Sequence, residues 1–360
     1  MSGSEEVRFD VKGALGVITM TRPKALNSLT LDMIHLMDPQ LKAWAEDDAV
    51  KAVAIHGEGE KSFCAGGDVR AVWEAGKKGE TGKGLTADFF RHEYTLNRDI
   101  HRFPKPYVAL INGITMGGGV GLSVHGSHRV AGERTMVAMP ETGIGLFPDV
   151  GGTYVLPRLE GKLGFYMALT GARLKAADSL YAGFATHYVP REDEEIIEAL
   201  AQADLSGDAD GAVDEVLANM SGDPGEPPIR ELRVGIDRCF DAATVEDIFA
   251  KLEAESDPDL KSWTEETLET LRTRSPTSMK VSLEALNRGA KLSFDSCMVM
   301  EYRLSQGCMR GHDFYEGIRA LLVDKDKNPQ WKPASLDEVS DEDVAAFFEE
   351  PEAGDLRLED

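Results

Sequence analysis

Cysteine is scarce in this sequence: there are four in 360 residues, Cys64, Cys239, Cys297 and Cys308. None is spaced as CxxC, which argues against a disulfide scaffold or a zinc cluster and fits a reducing compartment. Positive charge is short as well. Lys and Arg number 39 against 63 Asp and Glu, a formal net charge of −24. Phosphate backbones are gripped by concentrated Lys and Arg, so this balance argues against a nucleic-acid partner. It leaves room for a small anionic ligand, because a local basic site works inside an acidic protein. No run of about twenty apolar residues is long enough to span a bilayer. Met1 to Asp10 show no basic n-region, no apolar h-region and none of the Arg-rich character of a transit peptide. The expectation is a soluble cytoplasmic protein that engages neither membrane nor nucleic acid.

What is present is an ordinary globular composition, 42% hydrophobic and 28% charged, in a chain long enough to bury a sizeable core. The first half alternates β-rich runs with helical patterns. Ala14 to Met20, Ala52 to His56 and Tyr107 to Ile111 read as strands, the last ending in the turn pair Asn112-Gly113. Leu31, Ile34, Met37 and Leu41 recur at helical spacing, with Thr30 and Asp32 placed to cap that helix. Such alternation predicts an α/β fold with a mostly buried sheet. From Glu192 to Pro228 the chain turns acidic and is broken by Ser206-Gly207-Asp208 and Asp223-Pro224-Gly225. Val245 to Arg274 reads as two amphipathic helices, Ser275-Pro276-Thr277 starts another, and Phe294 to Arg310 and Phe314 to Lys325 look helical. The expected organisation is a core over 1–190, an acidic and mostly helical insertion over 191–275, C-terminal helices over 276–333 and an acidic tail over 334–360.

Three segments carry candidate chemistry. Phe63-Cys64-Ala65-Gly66-Gly67-Asp68-Val69 and Gly113 to Gly121 each follow a strand and precede a helical pattern. Backbone N–H groups at such a helix start point outward with the positive end of the helix dipole. Two of them converging on one point would hold a carbonyl oxygen that becomes negative during reaction. Each segment alone is better explained as a tight turn or a close helix–strand contact. No GxGxxG or Walker lysine pattern is present, and Gly121-Leu122-Ser123-Val124-His125 misses the GxSxG elbow at its last position. His125 and His128 stand one turn apart with no third ligand nearby, so packing explains them better than a metal does.

The third segment runs from Met139 to Tyr154. Its Glu141 and Asp149 sit among Gly, Pro and apolar residues, where desolvation raises a carboxylate's pKa and suits it to acid–base work. The competing reading makes Asp149 a cap for the helix starting near Gly151 and pairs Glu141 with a surface base. A fourth candidate is Glu93, which shares one helical stripe with Phe89, Leu96 and Ile100. A buried acid there either meets an internal Arg or Lys or faces a polar ligand.

Taken in order, these segments resemble the crotonase (enoyl-coenzyme A hydratase/isomerase) superfamily from about Gly13 to Pro333. The family-wide parts are Arg22-Pro23-Lys24-Ala25-Leu26-Asn27, the Phe63 to Val69 loop and Gly117 to Gly119. Met139 to Thr142, Leu146 to Gly152, Met300 to Gln306, Phe314 to Ala320, Asp324 to Asp326 and Trp331 to Pro333 resemble the branch that hydrolyses 3-hydroxyacyl-coenzyme A thioesters such as 3-hydroxyisobutyryl-coenzyme A, a step of valine breakdown. The resemblance implies a crotonase-like superhelix of stacked ββα units with a mostly helical C-terminal region. It implies an oxyanion hole from the N–H groups of Gly67 and Gly118, catalytic carboxylates at Glu141 and Asp149, and Glu93 on the acyl group. Coenzyme A is placed by Lys24, Ala25, Leu26, Ala65 and Asp68, with Lys325 at the nucleotide end. No metal or separate cofactor is implied, since coenzyme A is part of the substrate, and relatives often form homo-oligomers. Gly121 stands where hydratases carry one of two catalytic glutamates, which puts hydratase activity in doubt. An enoyl-coenzyme A hydratase or isomerase, and a non-catalytic acyl-coenzyme A-binding protein, are the alternatives.

Overall fold

Apolar runs make the strands and period-3.6 stripes make the helices, and in the computed structural model, which describes residues 6–358, both appear where that patterning places them. The chain folds into two compact units. The first comprises residues up to Gly67, Thr95–Ala138 and Leu174–Pro227. The second comprises Asp68–Tyr94, Met139–Arg173 and the chain from Pro228 onward. The segment from 191 to 275 therefore contributes to both.

The first unit holds two sheets. Strands β1 (Val7–Lys12), β2 (Leu15–Met20), β3 (Ala52–Gly57), β5 (Tyr107–Leu110), β7 (His128–Ala131) and β10 (His187–Tyr188) form a six-stranded sheet in the order β1-β2-β3-β5-β7-β10. All neighbours pair in parallel except β1 with β2. Every residue of β2, β3 and β5 is buried, as expected of strands covered on both faces and written as unbroken apolar runs. The second sheet has the order β4-β6-β8-β9, from β4 (Ser62–Cys64), β6 (Ile114–Met116), β8 (Met136–Ala138) and β9 (Leu174–Lys175). Successive pairs β3/β4, β5/β6 and β7/β8 thus give one strand to each sheet, and the repetition builds the stacked ββα turns of the expected superhelix. Val17, Ala54, Val108 and Val130 of the larger sheet share a core with Ile196, Ile197 and Leu200 of the helix Asp193–Gln202 and with Val213 and Leu217 of the helix Ala209–Met220. Helix α1 (Leu31–Glu46) starts as its sequence predicts: Thr30 Oγ1 accepts from Met33 N at 3.1 Å and Asp32 lies in the first turn.

The second unit is mostly helical. It contains α2 (Val69–Lys77), the first part of α3 (Leu85–His101), the short α5 (Gly152–Val155) that follows α4 (Gly118–Ser123) in the chain, and the C-terminal helices. Among those are Ile229–Phe240, Val245–Ala254, Lys261–Arg272, Pro276–Gly289 and Phe294–Arg310. The helix read over Phe314 to Lys325 is regular only over Asp313–Ile318 and widens to a π-turn over Arg319–Val323. Arg319, the first residue of the π-turn, binds Glu316 in front of it and Asp324 and Asp326 behind it, each at 2.7 Å. No helix among the described residues is long and apolar enough to cross a membrane.

Candidate active site

In the first unit the sequence motifs converge on the two glycine loops. Arg22 to Asn27 forms a 3-10 turn (Pro23–Ala25) followed by Leu26 and Asn27 in left-handed conformation, φ 54° for both. Asn27, whose importance the sequence did not disclose, braces this turn from full burial. Its Oδ1 accepts from Arg22 N at 3.0 Å and its Nδ2 donates to Ser62 O at 2.9 Å. Leu26 O accepts from Ala65 N at 3.0 Å, and Leu29 N donates to Gly66 O at 2.9 Å. Lys24, Ala25 and Leu26 are thereby tied to the loop carrying Ala65 and Gly67.

That loop lies against the next one through pairing of β4 with β6. Gly66 (φ +115°) and Gly117 (φ +47°, ψ −119°) adopt backbone that L side chains avoid. Gly118, as the first residue of α4, carries an N–H with no acceptor inside its helix. The loops carrying Gly67 and Gly118 follow these two paired strands.

The second unit brings together the acids. Glu93 on α3, Glu141 at the head of the 3-10 turn Glu141–Ile144, and Asp149 are 2%, 4% and 4% exposed. No ion pair joins any of them to a Lys, Arg or His among the described residues, so neither the surface base for Glu141 nor the internal cation for Glu93 is found. Oε1 of Glu93 and Oε2 of Glu141 have no hydrogen-bond partner. Asp149 does not cap α5, whose N-cap is Gly151 without a side-chain bond. Its Oδ2 instead accepts the Tyr94 hydroxyl at 2.8 Å. Burial, reinforced by the neighbouring carboxylates, holds Glu93 and Glu141 well above the usual carboxylate range. Burial lifts Asp149 to about 7, with the Tyr94 hydroxyl and its own backbone N–H pulling the other way.

Glu301, on the helix Phe294–Arg310, completes the cluster and was not singled out from the sequence. It is fully buried, and burial pushes it up to about 8 against the pull of donors from Gly151 and Thr153. The signal that disclosed Glu93 was available here too: Cys297, Met298, Leu304 and Ser305, three and four residues away, are all buried. Asp68 and Lys325 also belong to this unit. Asp68 Oδ1 caps α2 through Ala71 N at 3.3 Å, and Lys325 sits in left-handed conformation (φ 59°) between the two aspartates bound by Arg319. Among the described residues no group of three or more His, Cys, Asp or Glu is placed to hold a metal ion.

The family described as enoyl-CoA hydratase/isomerase matches residues 15–348. A zebrafish (Danio rerio) protein named 3-hydroxyisobutyryl-CoA hydrolase, mitochondrial, is 51% identical over 98% of this chain and 92% of its own length. The human protein of that name is 48% identical over 99% and 91%. Among solved structures, a carnitinyl-CoA dehydratase from Mycobacterium thermoresistibile superposes with TM-score 0.90 at 44% identity, covering 99% of both chains. An enoyl-CoA hydratase from Rhodobacter sphaeroides gives 0.88 at 38% identity, covering 98% of this chain and all of that one. The cytoplasmic expectation is corrected by the zebrafish and human relatives, which are named mitochondrial. Free thiols and an acidic, globular composition are common to soluble proteins of both compartments, so those features did not separate them. Over nearly its whole length, in sequence and in fold, this chain belongs to the enoyl-CoA hydratase/isomerase family.

Proposed function

We propose that this protein hydrolyses a 3-hydroxyacyl-coenzyme A thioester, 3-hydroxyisobutyryl-coenzyme A, with water to give 3-hydroxyisobutyrate and free coenzyme A. Relatives at 48–51% identity over nearly the full chain carry the name of that hydrolase. The observation that carries the chemistry is Glu141, 4% exposed, beside Asp149, with Oε2 unpartnered and no cation to neutralise it. A buried carboxylate oxygen without a partner is costly unless a ligand supplies one.

In this reading the N–H groups of Gly67 and Gly118 hold the thioester oxygen as it gains charge. Glu141, made more basic by burial, attacks the carbonyl carbon to give an anhydride that water opens, or takes a proton from an attacking water. Asp149 orients the nucleophile, and its poise near neutrality lets it pass a proton to the departing thiolate. Glu93 accepts the hydrogen bond of the acyl hydroxyl with the Oε1 that has no protein partner. Lys24, Ala25, Leu26, Ala65, Asp68 and Lys325 hold coenzyme A, which is part of the substrate; the reaction calls for no separate cofactor. Hydration of an enoyl substrate needs an acid and a base across C2–C3, and Gly121 offers neither.

Thiol release measured over a small acyl-coenzyme A panel tests this reading. Rapid release from 3-hydroxyisobutyryl-coenzyme A with no absorbance change on an enoyl-coenzyme A supports it. Loss of enoyl absorbance without thiol release would make the protein a hydratase, and tight binding without turnover would make it a binding protein.

A further inference from the structure

Asp149 is followed by a backbone that does not hold its shape unaided. Val150 has φ +52°, a strained value for a β-branched residue, and Gly151 has φ +85°. Helix α5 then begins with orphan N–H donors and no local side chain to cap them. The cap arrives from 150 residues away in sequence. Oε2 of Glu301 accepts from Gly151 N at 2.8 Å, and Oε1 accepts from Thr153 N at 3.0 Å and from the Thr153 hydroxyl at 2.6 Å. Three donors on two oxygens require a carboxylate, because an amide at this position would turn an NH2 toward a donor. This acid joins a buried group that already contains Glu93, Glu141 and Asp149. On the other side the Tyr94 hydroxyl fixes Asp149 Oδ2 at 2.8 Å.

We propose that Glu301 and Tyr94 are positioning residues for Asp149: Glu301 clamps the strained turn that aims it, and Tyr94 fixes the orientation of its carboxylate. The inference rests on the catalytic reading of Asp149. Asp149 faces Tyr94 and Glu93 from α3, Glu141 from its own loop, and Glu301 and Cys308 from the helix Phe294–Arg310. Of these, Tyr94 is the one that donates a hydrogen bond to it, so removing the Tyr94 hydroxyl raises the proton affinity of Asp149.

The test is thiol release from 3-hydroxyisobutyryl-coenzyme A, as pH profiles of kcat and kcat/KM, for Tyr94→Phe, Glu301→Gln and Thr153→Val, each alone and combined with Asp149→Asn. Tyr94→Phe should lower kcat about 10-fold with KM changed less than about twofold, and should move the limb of the profile that Asp149 sets to higher pH. Glu301→Gln should lower kcat by roughly 10–100-fold. Thr153→Val, which removes one of the three donors and keeps side-chain volume, should give a smaller loss of the same kind and serves if Glu301→Gln fails to fold. In the Asp149→Asn background none of the three should lower activity further, because each acts through Asp149. Unshifted profiles with kcat within twofold of the parent, or losses that multiply with that of Asp149→Asn, overturn the proposal while the role of Asp149 stands. An Asp149→Asn enzyme with near-parental turnover overturns the reading beneath it instead.

Discussion

A Cβ built on Gly119 would lie 2.1 Å from the carbonyl oxygen of Cys64. The two glycine loops of the first unit meet so closely that one methyl group cannot be placed between them. In the proposed mechanism the N–H groups of Gly118 and Gly67 serve a single oxygen.

Gly119→Ala should accordingly destabilise the protein by roughly 1–3 kcal/mol, the usual penalty of overpacking, and lower turnover with it. Gly207, with nothing within 4 Å of an added Cβ, is the control: Gly207→Ala should stay within about 0.5 kcal/mol of the parent. Urea midpoints at constant m-value measure both, and equal midpoints for Gly119→Ala and the parent would contradict the close approach.

Glu93 should set acyl selectivity. A buried carboxylate left unpaired penalises substrates without the hydroxyl. The parent enzyme should prefer 3-hydroxyisobutyryl- over isobutyryl-coenzyme A by about 100-fold or more in kcat/KM, and Glu93→Ala should bring the ratio below about tenfold. Unchanged selectivity in the variant would remove Glu93 from recognition.

The acid cluster should also make stability depend on pH. Asp149 and Glu301 titrate near 7 and 8 in the folded protein against ordinary values of 3.8 and 4.5. The folded state therefore binds protons more tightly than the unfolded one, and these groups contribute stability at acid pH that is lost as pH rises from about 4 toward about 8. Glu93→Gln removes one charge from the cluster, and Glu93 Oε1 has no partner to lose. Its melting temperature relative to the parent should increase between pH 5 and pH 8 in the absence of substrate. A difference that stays constant over that range would show that Glu93 is ionised there in the folded protein as it is in the unfolded chain, against the raised proton affinity that burial gives it.

Much of this architecture was legible in the sequence because its signals are local. Unbroken apolar runs marked β2, β3 and β5, and Thr30 announced the start of α1. The apolar setting of Glu141 and Asp149 disclosed that both would be desolvated. It could not decide whether Asp149 capped the next helix, since Asp-Val-Gly-Gly suits either role and the deciding partners, Tyr94 and Glu301, lie 55 and about 150 residues away. Glu301 stayed hidden although its helical stripe is as apolar as that of Glu93. The helix read over Phe314 to Lys325 widens at Arg319, whose ion-pair partners lie on both sides of it in the chain. The cellular compartment left no mark on composition at all.

Glu141 bears the proposed chemistry, and replacing it is the decisive experiment. Glu141→Gln keeps shape and burial while removing the basic oxygen, and should lower kcat for thiol release from 3-hydroxyisobutyryl-coenzyme A by roughly 10²–10⁴-fold, with unchanged folding by circular dichroism and little change in KM. Near-parental thiol release from a folded Glu141→Gln enzyme would contradict the account.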